Sequence, residues 1–302
     1  MEGHHDPGKD AYFAGVDALG DAWTFLITRE AFFGASRFQE FCDRLNISRA
    51  RLTERLKHLI EIGIFERHQY SSTPPRFEYR FTQKGRAIYP VALAMIEWGE
   101  RWRSKPGASK LVHRTCTKPL STSVVCAQCR EPICAADLDW PAIPSMTGST
   151  SKKGSVRGWR KMASFDDISD RPDPAVELLK AVGDRWSMLI VYGALKTSFH
   201  FREAQSKLGL ADTILSDRLK HLVREGILER EGESRNAAYR ATDAGKALLA
   251  PVLSIRTWAL DWAPRMERPW AKVIHKPCGA DLRTVSICNH CGDTMDPKDV
   301  SY

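Results

Sequence analysis

The chain contains two copies of one sequence pattern, and this duplication limits the folds that it can adopt. At an offset of 163 residues, residues 20–23 (Gly-Asp-Ala-Trp) align with 183–186 (Gly-Asp-Arg-Trp), and residues 55–59 (Arg-Leu-Lys-His-Leu) align with the identical residues 218–222. From Tyr79 onward the offset is 160. Solenoid repeats usually span about 20–50 residues, so a period this long indicates duplicated domains. The sequence therefore predicts two homologous domains within one polypeptide.

Length and composition agree with this organisation and exclude several classes of protein. The 302 residues are 43% hydrophobic and 27% charged, which is typical of a globular chain long enough for two ordinary domains. No run approaches the roughly 18 apolar residues that a membrane-spanning helix requires, so no membrane contact is expected. The first residues lack the basic start and apolar stretch of a secretion signal, and a cytoplasmic location is expected. A net charge of +8 favours an anionic partner.

Each copy contains the pattern of a helix-turn-helix followed by a β-hairpin. In copy one, apolar residues recur at helical spacing over 38–45 and again over 52–59. Three residues separate these segments, and Ser48 is suited to cap the second helix. After Gly63, a helix stop, two apolar and aromatic runs between residues 64 and 82 predict a two-stranded wing. The predicted fold is mainly α with small β wings, as two winged helix-turn-helix domains.

This order of motifs resembles the HxlR-type winged helix-turn-helix transcription regulators, and it does so in both copies. The resemblance covers about 10–103 and 173–263. In copy one it is carried by Gly20-Asp21-Ala22-Trp23, Leu26-Ile27, Arg37-Phe38-x-Glu40, Ile47-Ser48, Leu52-x-x-Arg55-Leu56-x-x-Leu59, Gly63-Ile64, and Pro74-Pro75-Arg76-Phe77-Glu78-Tyr79-Arg80-Phe81-Thr82-x-x-Gly85. It implies a small DNA-binding domain that usually acts as a homodimer.

Two departures from the family pattern affect what the resemblance implies. Family members that sense through a thiol carry a cysteine about ten residues before the glycine of the Gly-Asp-x-Trp segment, whereas this chain has Asp10 and Asp173 at those places. Thiol sensing by that route is therefore not expected. Copy two also has residues 234–238 (Ser-Arg-Asn-Ala-Ala) in place of the Pro-Pro-Arg run, which alters its wing contacts.

The first turns of the second helix are the expected DNA contacts, because this helix enters the major groove in such motifs. In copy one these residues are Ser48, Arg49, Arg51 and Arg55. Arginine suits the role because its planar fork grips guanine or a phosphate. The alternative for these residues is a solvated, charged helix face.

Copy two presents different groups at the matching positions, which are Asp212, Thr213, Ile214, Ser216 and Arg218. An acidic group repels phosphate but can accept from cytosine N4, so copy two is expected to bind a different half-site or to bind more weakly. The expected operator is asymmetric. At the hairpin tips, Arg76 and Arg235 are candidate minor-groove or phosphate contacts. Four strand residues could equally form cross-strand charge pairs, namely Arg67, Arg80, Arg230 and Arg240.

A long helix is expected after each wing, over residues 88–102 and 248–262, with interruptions near Pro90 and Pro251. In each helix two tryptophans four residues apart share one face. We assign this face to pairing of the two copies as an internal pseudo-dimer. Recognition helices in such a pair need a separation of about 34 Å to reach successive major grooves. Further homo-oligomerisation is left open.

A cysteine and histidine pattern, His-x2-Cys-x9-Cys-x2-Cys, follows each winged domain. The candidate ligands are His113, Cys116, Cys126 and Cys129, and then His275, Cys278, Cys288 and Cys291. Two close ligand pairs joined by a short hairpin are typical of a tetrahedral zinc ribbon, so two structural zinc ions are predicted, one per copy. Disulfides or reduced buried thiols are the alternatives. Cys134 or His290 could supply a fourth ligand, and Cys42 is expected in the core.

Together these features predict five consecutive segments. They are winged helix-turn-helix copy one at 1–109, a zinc-ribbon-like lobe at 110–139, a linker at 140–172, copy two at 173–271, and a second lobe at 272–302. The linker is expected to be a solvated tether, although its basic residues could add phosphate contacts.

The predicted function is sequence-specific transcription regulation through double-stranded DNA. Zinc hydrolases and deaminases need a general base beside the metal, and no glutamate stands where that chemistry needs it, so no enzymatic activity is expected. The alternative is a metal- or redox-responsive switch, or a protein-interaction module, that uses the Cys/His lobes.

Overall fold

The protein divides into two compact units, and each unit contains segments of both repeats. A computed structural model describes residues 10–103, 110–141, 173–232, 237–263 and 269–301. Unit 1 comprises the described residues within Met1–Asp17, Ser123–Lys161 and Ala181–Val285, and unit 2 those within Ala18–Thr122, Met162–Lys180 and Ser286–Tyr302. The segments expected as consecutive lobes, 110–139 and 272–302, are therefore each divided between the units.

The first repeat contains the predicted helices and hairpin, followed by short strands. Its elements are α1 (Ala11–Leu19), α2 (Ala22–Phe32), α3 (Phe38–Leu45), α4 (Arg49–Glu61), β1 (Phe65–Ser72), β2 (Pro75–Phe81), α5 (Gln83–Arg86), α6 (Tyr89–Trp102), β3 (Val112–His113), β4 (Lys118–Pro119), β5 (Thr122–Cys126) and β6 (Leu138–Asp139).

The second repeat follows the same order, with one additional short strand. Its elements are α7 (Pro174–Val182), α8 (Arg185–Lys196), β7 (Phe199–His200), α9 (Phe201–Leu208), α10 (Asp212–Arg224), β8 (Leu228–Glu231), β9 (Ala238–Ala241), α11 (Asp243–Lys246), α12 (Leu249–Trp262), β10 (Ile274–His275), β11 (Ala280–Asp281), β12 (Thr284–Cys288) and β13 (Val300–Ser301). The fold is mainly α-helical with small sheets, as predicted.

The helix-turn-helix of copy one forms for the reasons that its sequence indicates. Phe41 and Leu45 of α3 and the leucines of α4 are buried, so each helix turns one apolar face to the core. Asn46 ends α3 in the left-handed conformation, with φ of 47°. Ser48 then caps α4 by accepting from the backbone N–H of Arg51. Together these caps fix the three-residue turn between the helices.

The wing of copy one is a long antiparallel hairpin in which Phe65 pairs with Phe81 and Ser72 with Pro75. Gly63, at φ of 73°, ends the preceding helix. In copy two the hairpin of β8 and β9 is shorter, and β7 pairs with the outer edge of β9. Residues 233–236, which include Arg235, lie outside the described residues.

The first helix of each repeat, α1 or α7, belongs mainly to the unit that holds the other repeat's winged domain. We call α1 and α7 the exchanged helices. In unit 1, α1 packs on α12, because a Cβ added at Gly15 would lie 2.6 Å from Ile255 Cγ2. In unit 2, the start of α7 packs on α6, because a Cβ at Gly99 would lie 1.8 Å from the backbone oxygen of Pro174. Each exchanged helix therefore packs on the long helix that follows the other repeat's wing. The close contact uses a glycine of the exchanged helix in unit 1 and a glycine of the long helix in unit 2.

The long helices differ from the sequence prediction in one respect. Pro90 and Pro251 lie in the first turn of α6 and α12 rather than interrupting them. A proline is tolerated there because the first N–H groups of a helix have no partner within it. Trp98 and Trp258 are both 3% exposed, so each is a core residue of its own unit. Within the described residues, no helix has the length and apolar character that crossing a membrane requires.

Candidate nucleic-acid interface and metal clusters

The N-terminal turn of α4 is exposed and carries two cations held by aromatic rings. Ser48 and Arg49 are exposed, whereas the leucines behind them are buried. Arg49 lies 5.2 Å from the Phe38 ring centroid, and its guanidinium donates to Gln39 Oε1 at 2.9 Å. Arg51 lies 5.5 Å from the Trp23 ring centroid. These contacts orient both guanidinium groups at the helix start, where the unpaired N–H groups also favour an anion.

Arg55 has a different environment from the other predicted DNA contacts. Its guanidinium lies 2.6 Å from Asp21, and both side chains are 18% exposed. Asp21 also caps α2 by accepting from the Trp23 N–H at 2.7 Å. In copy two, Arg218 repeats the pair with Asp184 at 3.3 Å. The two arginines therefore hold α4 and α10 against the capped starts of α2 and α8, respectively, rather than standing free at the surface.

The first turn of α10 is exposed but carries little positive charge. Asp212 and Thr213 are exposed, and Ile214 is 39% exposed, which is unusual for a large apolar side chain. Asp212 accepts from the Gln205 amide of the preceding helix. Ser216 is half-buried, one turn further along α10. The two copies thus present chemically different surfaces from equivalent helices.

The wings contribute one exposed arginine near a tip and several internally paired ones. Arg76 is exposed on β2, next to the hairpin turn. Arg80 pairs with Glu78 on its own strand, and Arg67 lies over the Phe77 ring at 3.4 Å. In copy two, Arg240 contacts Glu229 across the hairpin at 3.0 Å and also Glu231 at 2.6 Å. The predicted cross-strand charge pair therefore forms at Arg240, whereas Arg80 pairs within its own strand.

The eight predicted metal ligands form two compact clusters. Their ligand atoms lie within 4.8 Å of one another in each cluster, and the members are His113, Cys116, Cys288 and Cys291, and Cys126, Cys129, His275 and Cys278. Neither Cys134 nor His290 belongs to a cluster. Cys134 instead donates to Asp137 at 2.8 Å. The fourth candidate ligand of each cluster is therefore its histidine.

The predicted pairing of ligands within each copy was wrong. Each cluster combines a His-x2-Cys pair from one repeat with a Cys-x2-Cys pair from the other. The reason lies in the division of the lobes. Residues 113 and 116 share unit 2 with residues 288 and 291, and residues 126 and 129 share unit 1 with residues 275 and 278. Local spacing fixes each pair but does not determine which second pair completes its site.

The distances between ligand atoms in both clusters suit tetrahedral coordination of a metal ion. Sulfur atoms lie 3.9 Å apart between Cys116 and Cys288, and 3.8 Å apart between Cys126 and Cys278. Sulfur to histidine Nδ1 distances are 3.3–3.5 Å. A tetrahedron built with Zn–S of 2.3 Å and Zn–N of about 2.05 Å has edges of about 3.8 Å between sulfurs and about 3.5 Å between sulfur and nitrogen. A disulfide would need about 2.05 Å.

The turns around the cysteines also favour thiolate ligands. A residue at positive φ directly follows the last ligand of every pair, with values of 56° to 78° at Thr117, Arg130, Gly279 and Gly292. Burial opposes ionisation of Cys126, but the N–H groups of Cys129 and Gln128 donate to its sulfur and lower its pKa overall. The pKa of Cys288 is lowered in the same way, against burial, by the N–H groups of His290 and Cys291. Backbone donors thus stabilise the thiolate form of one cysteine in each Cys-x2-Cys pair, whereas the pKa values of the second cysteines, Cys129 and Cys291, are raised.

A buried ionic network anchors the exchanged helix of unit 1, and the sequence analysis missed it. Asp10 and Arg256 are fully buried, and Arg256 Nε lies 3.3 Å from the carboxylate. Tyr192 also donates to Asp10, and the Arg256 guanidinium donates to the backbone oxygens of Leu282 and Ala271. The available signal was an arginine in the middle of a largely apolar helix, where copy one has Ile96.

The equivalent contact in unit 2 uses the aligned residues. Asp173, the counterpart of Asp10, accepts from Arg29, which stands where copy two has Tyr192. Arg29 also pairs with Glu30 at 2.5 Å. Asp10 and Asp173, which stand where some family members have a sensing cysteine, therefore anchor the exchanged helices.

Comparison with known families agrees with the two winged domains. Residues 18–106 and 181–267, which together make up more than half of the chain, match the model of the HxlR-like helix-turn-helix family. The chain belongs to this family. The HxlR-like family is a family of transcriptional regulators rather than enzymes, and this chain contains its domain twice.

Its relatives carry consistent descriptions. An HTH-type transcriptional regulator of Mycobacterium tuberculosis is 38% identical over 125 residues, which cover 41% of this chain and 79% of that protein. Among solved structures, PA1607, described as a transcription factor, is 35% identical with a TM-score of 0.38, and the match covers 42% of this chain and 90% of that one. The redox regulator HypR in its reduced form is 36% identical with a TM-score of 0.28, covering 29% of this chain and 88% of that one.

Proposed function

We propose that the protein is a sequence-specific DNA-binding regulator in which one polypeptide supplies both recognition helices. The observation that carries the proposal is the exposed, arginine-bearing first turn of α4 within a complete helix-turn-helix of this family. Arg49 and Arg51 are the proposed base-reading groups, since Arg55 is held by Asp21. Arg76 of the wing is a proposed phosphate or minor-groove contact.

The proposed operator has two unequal half-sites. Family domains usually act as homodimers, and here each unit is completed by a helix and a ligand pair from the other repeat, which supports pairing within one chain. Asp212 and Ile214 replace Arg49 and Arg51 in the second copy, so its half-site should differ in sequence and be bound more weakly. Thr213, Ser216 and Arg218 remain candidate contacts there, as does Arg235.

Each Cys/His cluster is proposed to bind one structural zinc ion. Four protein ligands at tetrahedral spacing close the coordination shell, as in structural rather than catalytic zinc sites. The strands around each cluster are only two to five residues long, so strand pairing alone supplies few hydrogen bonds to order them. Metal binding would therefore supply much of the free energy that folds these segments.

The DNA proposal is tested by selection of duplexes from a random pool, followed by footprinting with the purified chain. We expect two protected half-sites of different sequence, bound by one chain, with affinity that falls steeply with salt. Arg49→Ala should weaken protection of one half-site and Ser216→Ala protection of the other. Two identical half-sites, a requirement for two chains, or absence of duplex binding would contradict it.

A second candidate function, a metal- or redox-responsive switch, is favoured by the exposure of the clusters. Cys291 is exposed, and Cys116, Cys129 and Cys278 are half-buried, so oxidants can reach zinc-bound thiolates in both clusters. Titration of the zinc-loaded protein with peroxide tests this function, with released zinc and DNA affinity followed together. Reversible zinc release that changes DNA affinity at constant helix content supports a switch, whereas loss of folding supports a purely structural role.

A further inference from the structure

An apolar groove lies inside the winged domain of copy two, between α8, β7 and α9. About 410 Å³ of empty space lies between its walls, a volume that includes the solvent at its open mouth. Leu189, Ile190, Phe199 and Leu208 form apolar walls, and each is buried. Glu203 and Lys207 lie at its edge and pair with each other at 2.7 Å.

At two aligned positions of this site, copy one has larger side chains than copy two. Glu30 aligns with Gly193 of the groove, and Phe41 aligns with Ala204. Both residues are buried, at 8% and 0% exposure. The Phe41 ring packs against Phe65 with ring centroids 6.4 Å apart. Copy one therefore shows which chemical groups this site holds when it is full, namely a carboxylate and an aromatic ring.

Copy one also shows which charge stands beside this site. In copy one, the Glu30 carboxylate lies 3.6 Å from Arg44, which aligns with Lys207. Copy two keeps a cation at Lys207, has no carboxylate at Gly193, and pairs Lys207 with Glu203 instead. A second cation, Lys196, lies near Lys207. Burial lowers the pKa of Lys196 to about 8; the carboxylate of Asp10 opposes this decrease and the positive charge of Lys207 adds to it. An anion bound at the edge of the groove would face both lysines and would share Lys207 with Glu203.

We propose that the groove of copy two is a binding site for a small aromatic carboxylate. The ring would occupy the space that Phe41 fills in copy one, and the carboxylate would face Lys207 as Glu30 faces Arg44. Ligands of this size bind mainly by apolar burial, with one charged contact that fixes their orientation. The proposal does not depend on DNA binding, because it concerns a site within one winged domain. If the chain does regulate transcription, such a ligand would be its effector, because the groove is lined by α9, which packs on the recognition helix α10.

The test is calorimetric titration of the full chain with three acids, benzoate, phenylacetate and 3-phenylpropionate, and with phenethylamine as the oppositely charged control. We expect at least one acid to bind with a Kd below about 1 mM, and the amine to bind at least tenfold more weakly. Gly193→Glu and Ala204→Phe restore the residues of copy one, so each should weaken acid binding at least tenfold. Lys207→Gln should do the same, whereas Lys220→Gln, which changes an exposed lysine of α10, should have no effect.

Three results would overturn the proposal. They are the absence of binding by all three acids, equal binding of the amine, and unchanged acid binding in the variants that fill the groove. Circular dichroism establishes whether each variant folds. If both groove-filling variants are unfolded, the comparison of Lys207→Gln with Lys220→Gln decides, because neither substitution adds volume to the core.

Discussion

At the scale of single residues, the arginines of the recognition helix divide into two groups that look alike in the sequence. The Arg49 guanidinium is exposed and contacts Phe38 and Gln39 of the neighbouring helix α3, whereas Arg55 forms an ion pair with Asp21. We therefore expect Arg49→Met to weaken operator binding by about 5- to 150-fold, as the loss of one bidentate base contact does, and to leave stability unchanged. Gel-shift titration against the selected operator, with thermal unfolding in parallel, measures both effects.

Arg55→Met is the matched comparison. This substitution keeps the apolar stem but removes the pair with Asp21, so it should cost about 1 kcal/mol of stability and change operator affinity less than Arg49→Met does. A larger loss of affinity for Arg55→Met, without loss of stability, would show that the ion pair opens on DNA and that Arg55 contacts a base.

The sequence could predict which residues occupy the recognition helix but not which of them are free. Helical spacing and the Ser48 cap place Arg49, Arg51 and Arg55 on one element. Whether each cation meets an anion of the same chain depends on Asp21, which approaches only after α2 and α4 pack together. Cys42 is a similar case. It was expected in the core, but it is half-buried, because its neighbour Phe41 takes the buried position.

At the scale of secondary-structure elements, the exchanged helices are held by close backbone contacts. A Cβ at Gly99 would lie 1.8 Å from the backbone oxygen of Pro174, so even alanine requires α7 to move away from α6. We expect Gly99→Ala to lower the melting temperature of the protein, although alanine raises intrinsic helix stability by about 1 kcal/mol. Differential scanning calorimetry of the full chain measures the change.

Gly193→Ala serves as the control for that substitution. It makes the same change inside a helix, but Gly193 faces the open groove, so its added methyl should be neutral or stabilising by about 0.5–1 kcal/mol. If Gly99→Ala proves as stable as Gly193→Ala, then the backbone of Pro174 does not pack closely on Gly99 of α6.

Periodicity and caps were sufficient to predict most elements, because these signals are local. Both helix-turn-helix motifs, the copy-one wing and the long C-terminal helices of the domains follow the predicted order. The strand β7 was missed because it is only two residues long and exists through pairing with Tyr239 and Ala238. The prolines of α6 and α12 were misplaced as interruptions because sequence alone does not fix the first residue of a helix.

At the scale of the whole molecule, the exchange of segments between repeats is what the sequence could not indicate. The ligand spacing is identical in the two repeats. A His-x2-Cys pair could therefore complete a site with the Cys-x2-Cys pair of its own repeat or with that of the other repeat. The choice depends on how the chain passes between the units at residues 122–123 and 285–286. Each unit consequently requires both repeats, so a fragment that contains one repeat alone should lack a complete metal cluster.

Pairs of cysteine substitutions distinguish the interleaved clusters from sites formed within one repeat. Cys116 and Cys288 share a cluster although they come from different repeats, whereas Cys116 and Cys126 come from one repeat but lie in different clusters. The full chain with Cys116→Ser and Cys288→Ser should therefore retain one zinc ion per molecule by elemental mass spectrometry. The chain with Cys116→Ser and Cys126→Ser should retain none, because each substitution removes a thiolate from a four-ligand site. Sites formed within single repeats would give the opposite result, with one ion kept by the second variant and none by the first.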